Sequence, residues 1–177
     1  MALRTWTKRS ESTVLKNPWW TYRKDEVTLP SGLPGEYHYV HTLGASLIVP
    51  VRKDGRIVVV NQYRYLLNRE SVEFPCGGVK EGSDHEQTAI QELEEEAGLM
   101  AGDWRIAGEF NPYNGVTNEI CRVFIARNLM DIPARPDNTE EFEILTLTPE
   151  EFEAKIISGV VWDGMSMAGW MLAKPYL

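Results

Sequence analysis

Hydrophobic positions in this chain fall into short separated runs, each with a period that names an element. Ile57-Val58-Val59-Val60 is β-branched throughout and predicts a buried strand within Arg56–Tyr63. Ala45–Pro50 precedes it, and Lys53-Asp54-Gly55 between them holds the Asp-Gly pair that favours a tight hairpin. Val27–Tyr39 is broken by Pro30, Gly32, Pro34 and Gly35, which predicts strand, turn and strand. Ser71–Phe74 predicts a short strand closed by Pro75 and Gly77-Gly78. Trp104–Phe110 and Ile120–Arg127 predict two strands joined by a Pro/Asn/Gly-rich loop, and Glu143–Leu147 predicts the last. The period changes to helical over Asp84–Ala97, where Ala89, Ile90, Leu93 and Ala97 share a face. Asp84 with Gln87 three residues on is a capping signal, and Gly98 suits the left-handed residue past the helix end. Thr148, Pro149 and Glu151 open a second helix to about Ile157, and Asp163 caps a third to about Lys174. Strands with helices at intervals predict an α/β class, with a mixed sheet between helices.

At 177 residues, the chain suits one compact domain or a domain with a modest extension. Only Cys76 and Cys121 are present, far apart and without metal-ligand spacing. Met1–Ser10 is polar and lacks the apolar run of a signal peptide, so a reducing cytoplasm is the expected home. No apolar run is long enough to cross a bilayer, and no membrane partner is expected. A formal net charge of −8 repels a polyanion, so no nucleic-acid partner is expected either. A small anionic substrate stays allowed, provided that a cation bridges acid to phosphate.

Helix 84–97 carries Glu92, Glu94, Glu95 and Glu96. Glu92 reaches Glu95 and Glu96 at the i+3 and i+4 spacings that bring side chains together, and like charges there destabilise a helix. A hard cation relieves such repulsion, and Mg²⁺ takes oxygen ligands. A solvated acidic face is the plainer reading of the same run. Two features favour the metal: the glutamates flank the apolar Leu93, and the glycine-bearing Gly77–Gly82 loop immediately precedes the helix.

The run from Gly77 resembles the Nudix signature, G-x5-E-x7-R-E-U-x-E-E-x-G-U with U a bulky apolar residue. Gly77, Glu92, Leu93, Glu95, Glu96, Gly98 and Leu99 match in register. Ser83 stands where the first Glu is expected, and Gln91 where the Arg is expected. The flanks resemble the ADP-ribose pyrophosphatase branch. Gln62-Tyr63-Arg64 is similar to its Q-Y-R strand end, and Glu73-Phe74-Pro75-Cys76-Gly77-Gly78 to its E-x-P-A-G-G entry. Phe110–Glu119 resembles its proline- and glycine-bearing loop, and Glu140–Ile144 its late acidic loop.

The resemblance implies a Nudix α/β/α sandwich over 41–177 and an N-terminal β extension over 1–40. It implies Mg²⁺ or Mn²⁺ as cofactor and hydrolysis of a nucleoside-diphosphate sugar, with ADP-ribose giving AMP and ribose 5-phosphate. Carried over by position, Glu92 and Glu96 hold metal with the Cys76 carbonyl, and Glu95 is a further helper or catalytic group. Glu73 supports the metal or its water, Arg64 contacts the diphosphate, and Gly78 belongs to the substrate-binding loop. One of Glu140, Glu141 and Glu143 completes the metal site or acts as base. In similar enzymes an N-terminal segment builds a homodimer and supplies an aromatic that stacks on adenine. Trp19 and Trp20 are the candidates here, and only one of two neighbours on a strand can face the base. Packing into a small core is their alternative. His38, His41 and His85 show no ligand spacing. GDP-mannose, another nucleotide sugar or a dinucleotide is an alternative substrate. A non-catalytic nucleotide-binding Nudix module is an alternative role, motivated by Ser83 and Gln91.

Overall fold

The structure is a computed structural model and describes residues 3–133 and 141–177. The strands are β1 Thr7–Lys16, β2 Thr21–Thr28, β3 Pro34–His41, β4 Ala45–Pro50, β5 Ile57–Arg64, β6 Arg69–Glu73, β7 Cys76–Gly78, β8 Leu99–Phe110, β9 Cys121–Asp131 and β10 Glu143–Leu147. The helices are α1 His85–Ala97, α2 Pro149–Ile157 and α3 Gly164–Ala173. By internal contacts the chain divides into two units, Met1–Leu43 with Asn111–Glu119, and Gly44–Phe110 with Ile120–Leu177.

The first unit is built on an antiparallel sheet in the order β1-β2-β3. The apolar pattern did not predict β1, because it buries none of its residues and is held by backbone pairing to β2. Trp19 and Trp20 do not lie on a strand. They sit in the β1–β2 turn, where both amides donate to Asn17 Oδ1 at 2.9 Å. Strand alternation therefore does not set the two side chains on opposite faces. Loop 111–119 joins this unit through the Val40–Thr117 bridge and the Tyr37 hydroxyl, which donates to the Gly115 carbonyl at 3.2 Å.

The second unit holds two sheets, in the orders β7-β4-β9-β8 and β10-β5-β6. The first is mixed, since β4 runs parallel to β9 and antiparallel to β7. The Asp-Gly turn forms, with the Gly55 amide donating to the Arg52 carbonyl at 3.0 Å, but the expected hairpin does not continue. After the single Val51–Ile57 bridge, β4 and β5 part into different sheets. Both faces of β4 are therefore buried, and each packs on a helix. Leu47 and Val49 join Val123, Ile125, Phe152 and Trp170 in one core, while Ile48 joins Ala89, Leu93, Ala97 and Phe124 in the other. The layers are thus α1, sheet, then α2 and α3. Ile90, expected on the buried face of α1, is 38% exposed, and Glu96 is buried instead. Strand β8 begins at Leu99 rather than Trp104, because the chain turns at Gly98 (φ 60°) straight into pairing with β9. Among the described residues, no helix is long and apolar enough to cross a membrane.

Candidate active site

Helix α1 starts where its sequence says it should. The Asp84 side chain accepts from the Gln87 amide and the Gln87 side chain from the Asp84 amide, at 2.8 and 3.2 Å. Ser83, one residue earlier, places its hydroxyl 3.3 Å from Gln87 Oε1 and takes no cap role. The fixed start sets the rotation of α1, and with it the direction of its glutamates.

Two of them meet β7. Glu96 is 5% exposed and accepts from the Cys76 amide at 3.0 Å. Burying a carboxylate is costly without such donors. Glu92 lies against Gly77, where an added Cβ would stand 2.1 Å from the Glu92 carboxyl carbon. A side chain at position 77 would displace Glu92, so the glycine is required by close approach rather than by backbone conformation. Glu95 is half-buried and accepts from Gln91 Nε2 at 2.9 Å.

Beside this pair, Glu73 is 4% exposed at the end of β6. Arg64 holds both of its oxygens, through Nε at 2.8 Å and through Nη2, and Gln62 Nε2 adds a weaker contact at 3.4 Å. The bond to Glu73 raises the Arg64 pKa above its ordinary value, and the charges of Asp163 and Glu96 add to it, so the guanidinium stays charged. The Cys76 thiol is held well above its ordinary pKa, first by the neighbouring Cys121 thiol and then by burial. A protonated thiol is a poor metal ligand, which leaves the backbone of Cys76 as its contribution to the site.

The remaining sequence candidates are distributed as follows. Gly78 ends β7, pairing with Ala45. Glu143 pairs with Asn61 across β10 and β5, and Asn61 Nδ2 donates to both Glu143 and Glu70 at 3.2 Å. Strand alternation puts Glu143 on the opposite face of that sheet from Gln62, Arg64 and Glu73. The structure therefore brings Glu92, Glu96, Cys76, Glu73 and Arg64 to one region and leaves Glu143 outside it. Glu141 is exposed just before β10, and Glu140 lies outside the described residues. Trp19 is 80% and Trp20 40% exposed, in the N-terminal unit.

Two residues given no role of their own by the sequence also shape the site. Gln62 shares the period-2 face of Arg64, a signal that could have found it. His85 has no such signal. Its Nδ1 lies 3.0 Å from the Ala45 carbonyl, which can only accept, so Nδ1 carries the proton. Ser46 donates to the His85 carbonyl at 2.7 Å, and the two bonds fasten the first turn of α1 to β4.

An oxygen-rich pair on one helix face, set against a glycine strand, has the donor chemistry of a Mg²⁺ or Mn²⁺ site. Among the described residues, no three His, Cys, Asp or Glu side chains converge as a ready cluster. Glu73 is turned to Arg64, Glu95 to Gln91, and Glu96 to the Cys76 amide.

The NUDIX domain family matches residues 40–162. The chain belongs to the NUDIX family. The nucleoside diphosphate sugar hydrolase N-terminal domain family matches residues 6–40 of this Nudix hydrolase. An ADP-ribose pyrophosphatase of Bacillus subtilis (strain 168) is 33% identical to it over 141 residues, covering 78% of this chain and 76% of that one. An ADP-ribose pyrophosphatase of Mycobacterium tuberculosis is 30% identical over 83% of this chain and 72% of its own. A solved ADP compounds hydrolase superposes with a TM-score of 0.86 at 17% identity, over 100% of this chain and 96% of that one. Together the family match and this likeness establish the Nudix fold, an α/β architecture of mixed sheet and helices.

Proposed function

We propose that this Nudix hydrolase cleaves the diphosphate of a nucleoside-diphosphate sugar in a Mg²⁺- or Mn²⁺-dependent reaction. ADP-ribose is the substrate, and AMP and ribose 5-phosphate are the products. One observation carries the reading: Glu92 and Glu96 leave a single face of α1 against Cys76 and Gly77, with charged Arg64 beside them. A solvated acidic face would not bury Glu96 or press Glu92 onto a glycine backbone. The matched N-terminal nucleoside diphosphate sugar hydrolase family and the two ADP-ribose pyrophosphatase relatives support the substrate class.

In this reading Glu92, Glu96 and the Cys76 carbonyl hold the metal. When bound, the ion polarises the diphosphate and lowers the pKa of a water. Arg64 binds phosphate oxygens, for which its planar fork is suited, and exchanges Glu73 for substrate as it does so. Glu73, freed from Arg64, would support the metal or its water. The base comes from Glu95 or the late acidic segment, where Glu143 is already engaged by Asn61 and Glu140 and Glu141 are the remaining candidates. The active form is a cytoplasmic homodimer joined through the N-terminal unit, and exposed Trp19 is the candidate for stacking on adenine.

The test is AMP release from ADP-ribose at slightly alkaline pH, with Mg²⁺, Mn²⁺ or chelator, beside GDP-mannose and dinucleotides. Metal-dependent turnover with ADP-ribose preferred is the expected result. Turnover of no nucleoside-diphosphate compound with either metal would overturn the enzyme reading.

A further inference from the structure

Four residues, Glu73-Phe74-Pro75-Cys76, join β6 to β7 and carry both halves of the candidate site. Glu73 holds Arg64, and the Cys76 amide holds Glu96. Pro75 has no amide hydrogen, so only Phe74 and Cys76 can donate between the two carboxylates. The Cys76 donor is used on Glu96. The Phe74 donor goes to Ser166 Oγ at 2.9 Å, a bond across 92 positions of sequence. The Pro75 carbonyl accepts from the Ile48 amide at 2.9 Å. The segment is thus pinned from α1, from β4 and from α3.

Ser166 is wholly buried in the first turn of α3, a helix otherwise made of small and apolar residues. Alanine has the higher helix propensity and brings no hydroxyl into the core, so the hydroxyl is explained by what it accepts. Its placement is fixed from behind, because the Asp163 carboxylate caps α3 on the Ser166 amide at 2.7 Å. Asp163 also lies close enough to Arg64 for its charge to be felt there. The fold reaches the same place through aromatic packing, with Phe74 and Trp170 rings 6.3 Å apart.

We propose that Ser166, set in place by the Asp163 cap, is a positioning residue for the metal-binding Glu96 and for Glu73, the carboxylate that holds the diphosphate-binding Arg64. It acts through the Phe74 amide and never touches substrate. Without the hydroxyl, a buried donor is left unpaired, and the segment moves to find water or another acceptor. That movement shifts the Cys76 amide under Glu96 and the Glu73 carboxylate under Arg64 together. The inference rests on the hydrolase reading above for its activity readouts, but not for its amide or metal-binding readouts.

Three measurements on the full chain test it. In Ser166→Ala, the Phe74 and Cys76 amides of the metal-free protein exchange with solvent about tenfold faster. Mn²⁺ binding without substrate weakens about tenfold, the usual size of an outer-shell effect on metal affinity. The Mg²⁺ concentration for half-maximal ADP-ribose hydrolysis rises in parallel, while KM for ADP-ribose at saturating Mg²⁺ stays within about twofold. Ser166→Thr, which keeps the acceptor, restores amide protection and Mn²⁺ affinity. Asp163→Ala, which removes the cap, reproduces Ser166→Ala and serves if that variant does not fold. Unchanged Mn²⁺ affinity in Ser166→Ala, with or without faster amide exchange, would reduce Ser166 to a satisfied core hydroxyl and overturn the proposal. If the wild-type chain hydrolyses nothing, the functional reading fails, while Mn²⁺ affinity and amide exchange still decide for or against Ser166.

Discussion

At the scale of single residues, the two departures from the Nudix signature have local outcomes. Gln91 donates to Glu95, one turn along α1, where the signature's arginine would add a positive charge. The amide offers the carboxylate one donor, where an arginine would add a full positive charge and a planar fork of donors. Gln91→Arg should therefore fix Glu95 more firmly and lower the Mg²⁺ requirement about twofold, read as kcat against Mg²⁺ concentration. Ser83→Glu should be neutral or mildly activating, since the Ser83 hydroxyl makes only a 3.3 Å contact and Asp84 already caps the helix. A fall in turnover in both variants at unchanged melting temperature would mean instead that the two positions are tuned to another substrate pose. Glu96→Gln should cut kcat by about a hundredfold or more, because it removes a charge from the metal face. The glutamine oxygen can still accept from the Cys76 amide, so the fold should survive. Glu94→Gln, which does not lie on the face that meets β7, should change kcat by less than about twofold; equal losses from both would refute the assignment of faces. The glutamates of α1 were legible because helical spacing is a local rule. Glu143 lies on the other face of its sheet from Arg64 and Glu73, and proximity in sequence to a matching loop says nothing about which face of a strand a side chain takes. Only the pairing of β10 with β5 decides that.

At the scale of elements, capping boxes and β-branched runs fix their elements to within a residue or two, whereas β8 starts five residues before the expected Trp104. Helix α1 and helix α2 begin at their capping boxes, and β10 spans the predicted Glu143–Leu147. These signals are short-range hydrogen bonds and periods, carried by the residues themselves. The strand β1 had no such signal, since its ten residues are all exposed and its stability comes from pairing with β2. The separation of β4 from β5 into two sheets was equally hidden, because β4 takes β7 and β9 as its partners and β5 gains β10, all farther along the sequence. The contact of β7 with α1 depends on Gly77, and this gives an element-scale prediction. Gly77→Ala puts a methyl where the Glu92 carboxyl stands, so either the helix moves or Glu92 leaves its place. Overpacking of this kind costs about 1–3 kcal/mol. We expect a drop of that size in unfolding free energy, measured by urea denaturation, together with loss of most turnover at every Mg²⁺ concentration. Wild-type activity in Gly77→Ala would show that Glu92 does not need this position. Gly78→Ala is the control for stability alone, because an added Cβ there meets nothing nearer than the Gly44 carbonyl at 4.0 Å.

At the scale of the whole molecule, the sequence carried the class, the helix layers and the acidic face, but not how many copies work together. Strand β1 is an edge of its sheet and exposes Val14 and Leu15, each by about half, next to a turn that exposes most of Trp19. An edge strand with unpaired backbone groups and apolar side chains is a liability for a monomer unless something covers it. A second copy of the same chain is the cover proposed here, and the matched N-terminal family over residues 6–40 coincides with these strands. Light scattering of the purified chain should then give twice the monomer mass of 20.2 kDa. Removal of residues 1–20 should expose β2, lower the mass toward a monomer and reduce activity. The two tryptophans should separate in a second assay. Trp19→Ala, at the more exposed position, should raise KM for ADP-ribose with little change in melting temperature, since losing one stacked base is worth about 1–3 kcal/mol. Trp20→Ala, at the less exposed position, should lower the melting temperature more than it raises KM. A fully active monomer would reject the dimer outright. Equal KM values for wild type and Trp19→Ala would leave the dimer standing and remove Trp19 from the base site.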